Sequence, residues 1–346
     1  MKSTRGLQAS ARTDVPGQVD RVIETGACGL KIHEDWGAYP EIVDAALGQA
    51  DAHDVAVCLH TDGLNESCEL EDTVDAIGGR AVHAYHVEGA GGGHVPDVIG
   101  LVREPNVVCS STTPTIPYGR ATAAEHLEMI LAVHGGSADV PEDVEAARER
   151  IHPATMAAEG PLHDLGAISI VNSDSQGMGR IGETIRRTWQ LAHVMKAWAG
   201  ERADNDNDRV LRYIAKYTIE PARTHGIERE VGSLTPGRLA DLVLWRPSHF
   251  GVKPELVLKA GHFAWGAIGE GNATVEGTEP SRYGPHWGAL GAAPPALSTT
   301  FEPALLRGTS RSPAHAQGKP PGPWCRRTPR RRFARTGQRQ TLAGAS

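Results

Sequence analysis

Five residues that could do chemistry stand at the ends of short apolar runs. Lys31 and His33 close GLKIH (29–33), His60 closes VAVCLH (55–60), His86 closes AVHAYH (81–86), and Asp174 closes AISIVNSD (167–174). His60 and His86 end consecutive runs, so their imidazole nitrogens could converge on one metal ion; each could equally be a hydrogen-bonded structural histidine. Asp174 reads as a third ligand or as a cap for the helix that follows. Lys31 is the unusual member, because an ammonium beside metal cations is electrostatically unfavourable. The conflict disappears if Lys31 is deprotonated and takes up CO2 as a carbamate, an anion with two oxygens able to bridge two metals. The alternative is a substrate-binding or ion-paired lysine. His33 lies two residues on, on the same side of a strand as Lys31, where it could hold a substrate carbonyl oxygen. His134 follows an apolar helix and precedes Gly135-Gly136. It either interacts with the helix dipole or rides on a lid as a general acid. The glycine-rich GAGGGH (89–94) lacks G-x-G-x-x-G spacing and a following Lys-Ser/Thr pair, which favours close backbone approach over nucleotide binding.

The elements that must position these residues follow a rhythm. Strands are expected at 29–33, 55–60, 81–87, 106–111 and 167–173, with helices at 15–24, 40–52, 70–79, 96–103, 123–134, 142–158 (interrupted at Pro153) and 180–198. Strand–helix alternation implies a parallel sheet of βαβ units. Polar residues at strand C-termini match the catalytic face of a (β/α)8 barrel, although five strands are three short of closure. The first thirteen residues show no clear periodicity. ERADNDNDR (201–209) reads as a polar linker, and 232–265 as a small β-rich appendage.

Composition sets the outer bounds. The chain has 346 residues and a formal net charge of -7. From Arg307 onward there are ten Lys+Arg and no acids, leaving 25 basic against 42 acidic side chains before it, a balance of −17. At 40% hydrophobic and 22% charged, the body can bury a core. No apolar run is long enough to span a membrane, and the N-terminus lacks the apolar core of a secretory signal. The cysteines, Cys28, Cys58, Cys68, Cys109 and Cys325, form no C-x-x-C. Neither a disulfide framework nor a cysteine-ligated zinc is expected, and a reducing cytoplasm is the expected location. The Arg/Pro-rich text after about residue 308 cannot bury enough surface to order itself.

GLKIHEDWG (29–37), LHTDGLNES (59–67), HAYHVEGAGGGHVPD (83–97), SSTTPTIPYG (110–119), LHDLGAISIVNSDSQGMGRIGE (162–183) and GRLADLVLW (237–245) resemble the alpha subunits of urease, nickel-dependent amidohydrolases. The resemblance runs collinearly from about residue 16 to about 302. It implies a partial (β/α)8 TIM barrel, comprising the later strands only, over 16–230. Outside it lie an unmatched 1–15, a β-rich appendage over 231–305 and a disordered tail over 306–346. It further implies urea hydrolysis to ammonia and carbamate at two nickel ions bridged by a carbamate on Lys31. His60 and His86 match the ligands of one nickel, Asp174 a ligand of the other, His33 the residue contacting the urea oxygen, and His134 the flap acid. Asp35 and Arg150 match groups supporting that acid. Expected partners are urea, beta and gamma subunits and nickel-loading accessory proteins, with neither nucleic acid nor membrane.

Two departures accompany the resemblance. Val133 stands where the family often has cysteine. No His-x-His exists anywhere in the chain, although the family's first barrel strand uses that pair to hold the second nickel. The chain is therefore expected to be truncated at its N-terminus and divergent after about residue 302, where a shifted reading frame would explain the basic text. The alternatives are an inactive urease fragment and, with less support from the motifs, another binuclear amidohydrolase.

Overall fold

Alternation along three strands decides which face meets the helices. Leu30, Ile32, Val57, Leu59 and Val82 are apolar and buried, and they interleave with Lys31, Cys58, His60 and His83. A strand sends successive side chains to opposite faces, so one face is apolar and the other carries the polar residues. The computed structural model describes residues 4–5, 8–33, 38–60, 69–89, 98–175, 177, 179–200, 205–266 and 299–300.

The elements in order are β1 (Thr4–Arg5), β2 (Gln8–Ser10), α1 (Pro16–Glu24), β3 (Gly29–Ile32), α2 (Pro40–His53), β4 (Ala56–Leu59), α3 (Leu70–Ile77) and β5 (Val82–Ala84). There follow β6 (Val107–Thr112), α4 (Ala123–Val133), α5 (Pro141–Glu149), α6 (Pro153–Leu165), β7 (Ile170–Asn172), α7 (Thr184–Ala199), α8 (Asn207–Ala215) and α9 (Ile219–Thr224). The last are β8 (Leu242–Trp245), β9 (Pro254–Lys259), β10 (His262–Gly266) and β11 (Thr299–Thr300). Strands β2 to β7 form one six-stranded sheet in chain order, every neighbour parallel. Successive parallel neighbours joined by helical crossovers are the construction of a (β/α) barrel, and the fold is α/β as expected.

Helices α1, α2 and α3 cover the apolar face. Val19, Ile23, Val43, Ala46, Leu47, Ala50 and Ile77 pack with the outward residues of β3, β4 and β5 into one core cluster. Each large aliphatic buried there contributes roughly 1.5–3 kcal/mol relative to exposure. Prolines occupy the first turn of α1, α2, α5 and α6, where a missing N–H costs nothing. Gly78 ends α3 in the left-handed region, its N–H returning to Val74 O at 3.0 Å, a backbone state that favours glycine.

Three expectations need correction. The stretch before Thr13 is not featureless, since Gln8–Ser10 pairs with Gly29–Lys31 as a sixth strand. The helix expected over 96–103 is a 3-10 segment, Val98–Arg103. The interruption expected at Pro153 within 142–158 is present, that residue opening α6 after α5 has ended. The 201–209 stretch is not simply a linker. Residues 201–204 lie outside the described residues, but α8 starts at Asn207 and Arg209 is 2% exposed. Its Nε donates to Asp164 Oδ1 of α6 at 2.9 Å and its Nη1 to Asp206 at 2.6 Å, while Tyr213 donates to the same Asp164 oxygen at 3.3 Å. Within the stretch read as β-rich, β8, β9 and β10 form an antiparallel sheet in the order β10-β9-β8. Strands β1 and β11 pair in parallel apart from both sheets. The expected tail over 306–346 lies outside the described residues.

Removing one partner of a buried ion pair strands the other. Asp164→Ala is expected to destabilise the fold by about 3–5 kcal/mol, measured as the change in unfolding free energy in denaturant. A loss below about 1 kcal/mol would mean that the pair behaves as a surface contact.

Candidate active site

The parallel register sets the inward residues side by side. Lys31 stands opposite Cys58, and Cys58 opposite His83. Two residues further along each strand, toward its C-terminal end, come His33, His60 and Tyr85. At this rim the His33 and His60 rings stack with centroids 4.0 Å apart. The Lys31 ammonium sits 3.8 Å from the centroid of the Tyr85 ring, a cation–π distance.

His86 breaks the alternation. It follows inward-facing Tyr85, so a regular strand would turn it outward. Its φ of 31° swings the ring back, and Nε2 comes within 2.7 Å of His60 Nδ1. A left-handed backbone at a residue other than glycine stores strain that the surroundings must hold. His86 is 3% exposed and His60 8%. Burial, then the charges of His60, Lys31 and His33, press the His86 pKa well below its ordinary value, so it is neutral at physiological pH. Its Nδ1 is buried with no hydrogen-bond partner.

Asp174 also has a left-handed backbone, φ 45°, just beyond β7. Its N–H donates to Asn172 Oδ1 at 3.1 Å, and its carbonyl accepts from Gly177 at 3.1 Å and Gly179 at 3.0 Å. A Cβ at Gly177 would lie 2.9 Å from Asp174 Oδ2, so an alanine there would have to displace the carboxylate. The Tyr85 pKa is raised by burial first, then by Cys58 and Asp174, which puts Asp174 within electrostatic reach of the rim. Among the described residues the group of three ligand atoms that does converge is Cys58, His83 and His225.

His134 and Arg150 form a pair of their own. His134 follows α4 and is exposed; Arg150 follows α5, and its Nη1 donates toward His134 Nε2 at 3.1 Å. Gly135, at φ 72°, turns the chain between the two helices. Asp35 and the stretch 90–97, with most of the glycine-rich motif and His94, lie outside the described residues.

Sequence reasoning missed Tyr85, Cys58, His83 and His225. Strand alternation could have found Cys58, two residues before His60; Tyr85 and His83 lie an odd number of residues from His86, and only its left-handed backbone brings His86 to their face. It also missed a buried carboxyl pair behind His86. Glu88 Oε1 accepts from Thr112 N at 3.0 Å and Thr112 Oγ1 at 2.8 Å, tying the turn after His86 to β6. Glu159 accepts from Thr115 Oγ1 at 2.8 Å. Burial raises both carboxyls, Glu159 from 4.5 to about 7 and Glu88 well above 4.5, the latter also through Glu159.

The donor set at the rim fits a borderline divalent metal. Two buried imidazoles, one of them the neutral His86, converge at 2.7 Å and a third ring stacks on His60, and a buried ring nitrogen of His86 lacks a partner. Imidazole ligation suits zinc, copper, iron and nickel alike.

Comparison with known proteins agrees with this chemistry. The profile of the amidohydrolase family matches residues 6–265. Urease subunit alpha 2 of Streptomyces coelicolor is 53% identical over 297 residues, 85% of this chain and 53% of that protein. Urease subunit alpha 1 of Streptomyces avermitilis is 52% identical over 309 residues, 89% of this chain and 56% of its own length. Urease subunit alpha of Haloquadratum walsbyi is 50% identical over 301 residues, 86% and 53% of the two chains. The chain thus spans about half the length of the curated relatives it matches.

The raised carboxyls give a signed pH dependence. Above about pH 4.5 an unfolded chain ionises Glu159 while the folded chain keeps it protonated, so the folded state binds more protons. Stability from this group is full below 4.5 and is lost as pH rises to about 7, worth about 3 kcal/mol in all. The unfolding free energy of the wild type is expected to fall over this window relative to Glu159→Gln. Parallel pH profiles for the two proteins would refute it.

Proposed function

This chain belongs to the amidohydrolase family, and from its urease alpha-subunit relatives we propose that it carries a urease-type centre that hydrolyses urea to ammonia and carbamate. The observation that carries the reading is the meeting of Lys31, His33, His60 and His86 at the C-terminal rim of the parallel sheet, with the two ring nitrogens 2.7 Å apart. Lys31, as a carbamate, would bridge two nickel ions. His60 and His86 would hold one of them, and Asp174 would ligate the other. When bound, nickel would supply Lewis-acid polarisation of the urea carbonyl and a more acidic water.

The chain's own residues do the rest. A neutral His86 keeps a lone pair available at physiological pH, which a protonated ring would not. His33, held by stacking on His60, is positioned to donate to the urea oxygen as negative charge develops there. Lys31 as an ammonium rests on the Tyr85 ring; loss of two protons to solvent, one from the ammonium and one as its nitrogen bonds CO2, converts a cation into an anionic ligand. His134 would deliver a proton to the departing nitrogen, with Asp35 and Arg150 in support. Arg150 donates toward His134 Nε2, so that nitrogen holds a lone pair in this arrangement, and the contact must open before Nε2 carries a proton. The glycine turn after His134 allows such movement. Beta and gamma subunits and nickel-loading proteins are proposed partners by the same kinship. Among the described residues no helix is long and apolar enough to cross a membrane.

The test is to load the chain with nickel and bicarbonate, then measure ammonia released from urea together with nickel bound per chain. Nickel uptake that depends on bicarbonate, with ammonia release, is expected, and both should be lost in Lys31→Ala and His60→Ala. Uptake indifferent to those substitutions would contradict the reading. Gly177→Ala, which crowds the Asp174 carboxylate, is expected to weaken nickel binding about 10- to 100-fold; unchanged affinity would remove Asp174 from the ligand set.

A further inference from the structure

One level deeper in the sheet lies a second cluster that urea hydrolysis does not use. Cys58 precedes His60 by two residues on β4, His83 precedes Tyr85 by two on β5, and His225 follows α9. Cys58 is 0% and His83 4% exposed, and His225 is half-buried. Their ligand atoms all lie within 4.8 Å of one another. Cys58 Sγ and His83 Nδ1 are 3.6 Å apart. A tetrahedral zinc ion, with Zn–S about 2.3 Å and Zn–N about 2.0–2.1 Å, requires an S···N separation of about 3.5 Å.

Hydrogen bonding provides a tautomer suited to ligation. Ser110 Oγ accepts from Asn172 Nδ2 at 2.7 Å and lies 3.3 Å from Ala84 O and 3.0 Å from His83 Nε2. With the Ser110 proton given to Ala84 O, Oγ can accept from His83 Nε2–H. In that tautomer His83 Nδ1 holds a lone pair facing Cys58 Sγ. Metal-bound histidines are held in this way, one nitrogen on the ion and the other N–H on an outer partner. Gln8 of β2 reaches both remaining members, with Nε2 2.9 Å from Cys58 Sγ and 3.5 Å from His225 Nδ1. Rotated half a turn, its amide would present Oε1 to the same point.

We propose that Cys58, His83 and His225, with Gln8 as the fourth ligand, bind a zinc-class divalent ion that ties the edge strand β2 and the segment after α9 to the interior of the sheet. Burial keeps His83 neutral, its pKa pushed down to about 3, and lowers His225 as well, so both imidazoles can ligate without losing a proton. Burial raises the Cys58 thiol, so the ion must displace its proton: Cys58–SH and the divalent cation give a thiolate–metal bond and one H+ released to solvent. The ordinary reading, a Cys58 S–H donating to His83 Nδ1 with no ion, makes the opposite prediction for metal binding. This site stands whether or not the chain hydrolyses urea, since none of its ligands takes part in that reaction.

The test is a cobalt titration of the chelator-stripped full chain, read by the near-ultraviolet thiolate-to-cobalt charge-transfer band. One cobalt per chain giving that band, displaced by zinc, is expected. The band should vanish in Cys58→Ser, weaken in His225→Gln and survive in His86→Ala, which alters only the rim. A wild-type chain that binds cobalt without a thiolate band, or a band that persists in folded Cys58→Ser, would overturn the proposal.

Discussion

Parallel, in-register pairing of β3, β4 and β5 is the constraint on which the rest depends. It places Lys31 beside Cys58 and Cys58 beside His83, and the period of two then places His33, His60 and Tyr85 together at the next level. A slip of one residue in any of these strands would move its polar set to the helix-covered face and its aliphatic set inward. The apolar cluster beneath α1, α2 and α3 therefore does more than stabilise the fold. By holding Leu30, Ile32, Val57, Leu59 and Val82 outward, it fixes which side chains face the interior.

Regular geometry accounts for only part of the rim. His86 and Asp174 reach their places through left-handed backbones, at φ 31° and 45°. The structure spends hydrogen bonds on holding them. Glu88 anchors the turn after His86 to Thr112, and Asn172 with two glycines brackets Asp174. Strain of this sort persists where surrounding contacts over-determine it. Burial supplies the accompanying electrostatics. It keeps His83 and His86 neutral and raises the proton affinity of a carboxyl pair, Glu88 and Glu159.

Much of this was legible in the sequence. Apolar runs ending in polar residues located five strands of the parallel sheet to within a few residues, and prolines and glycines marked the helix ends. Gln8–Ser10 was not legible, because a three-residue strand of polar and small residues has no periodicity to read; it is defined by its partner. Arg209 lay in a stretch whose composition reads as linker, and only the fold brings Asp164 of α6 to it. The cluster of Cys58, His83 and His225 escaped for a related reason. Motif spacing finds ligands that are neighbours in sequence, whereas Gln8 is 50 residues from Cys58 and 217 from His225. His60 and His86 were found because strand-end histidines are recognisable, but the backbone turn that makes them meet is a property of packing.

The interior thus holds two levels of different chemistry, imidazole and oxygen donors at the rim and a thiol-bearing group below. X-ray absorption at the nickel edge, on the chain loaded with nickel and bicarbonate, distinguishes them most directly. The expected spectrum has a first shell of nitrogen and oxygen only, with imidazole scattering that diminishes in His60→Ala. A sulfur neighbour in the nickel shell, or a spectrum unchanged by His60→Ala, would place the metal elsewhere and contradict assignment of the rim as the catalytic centre.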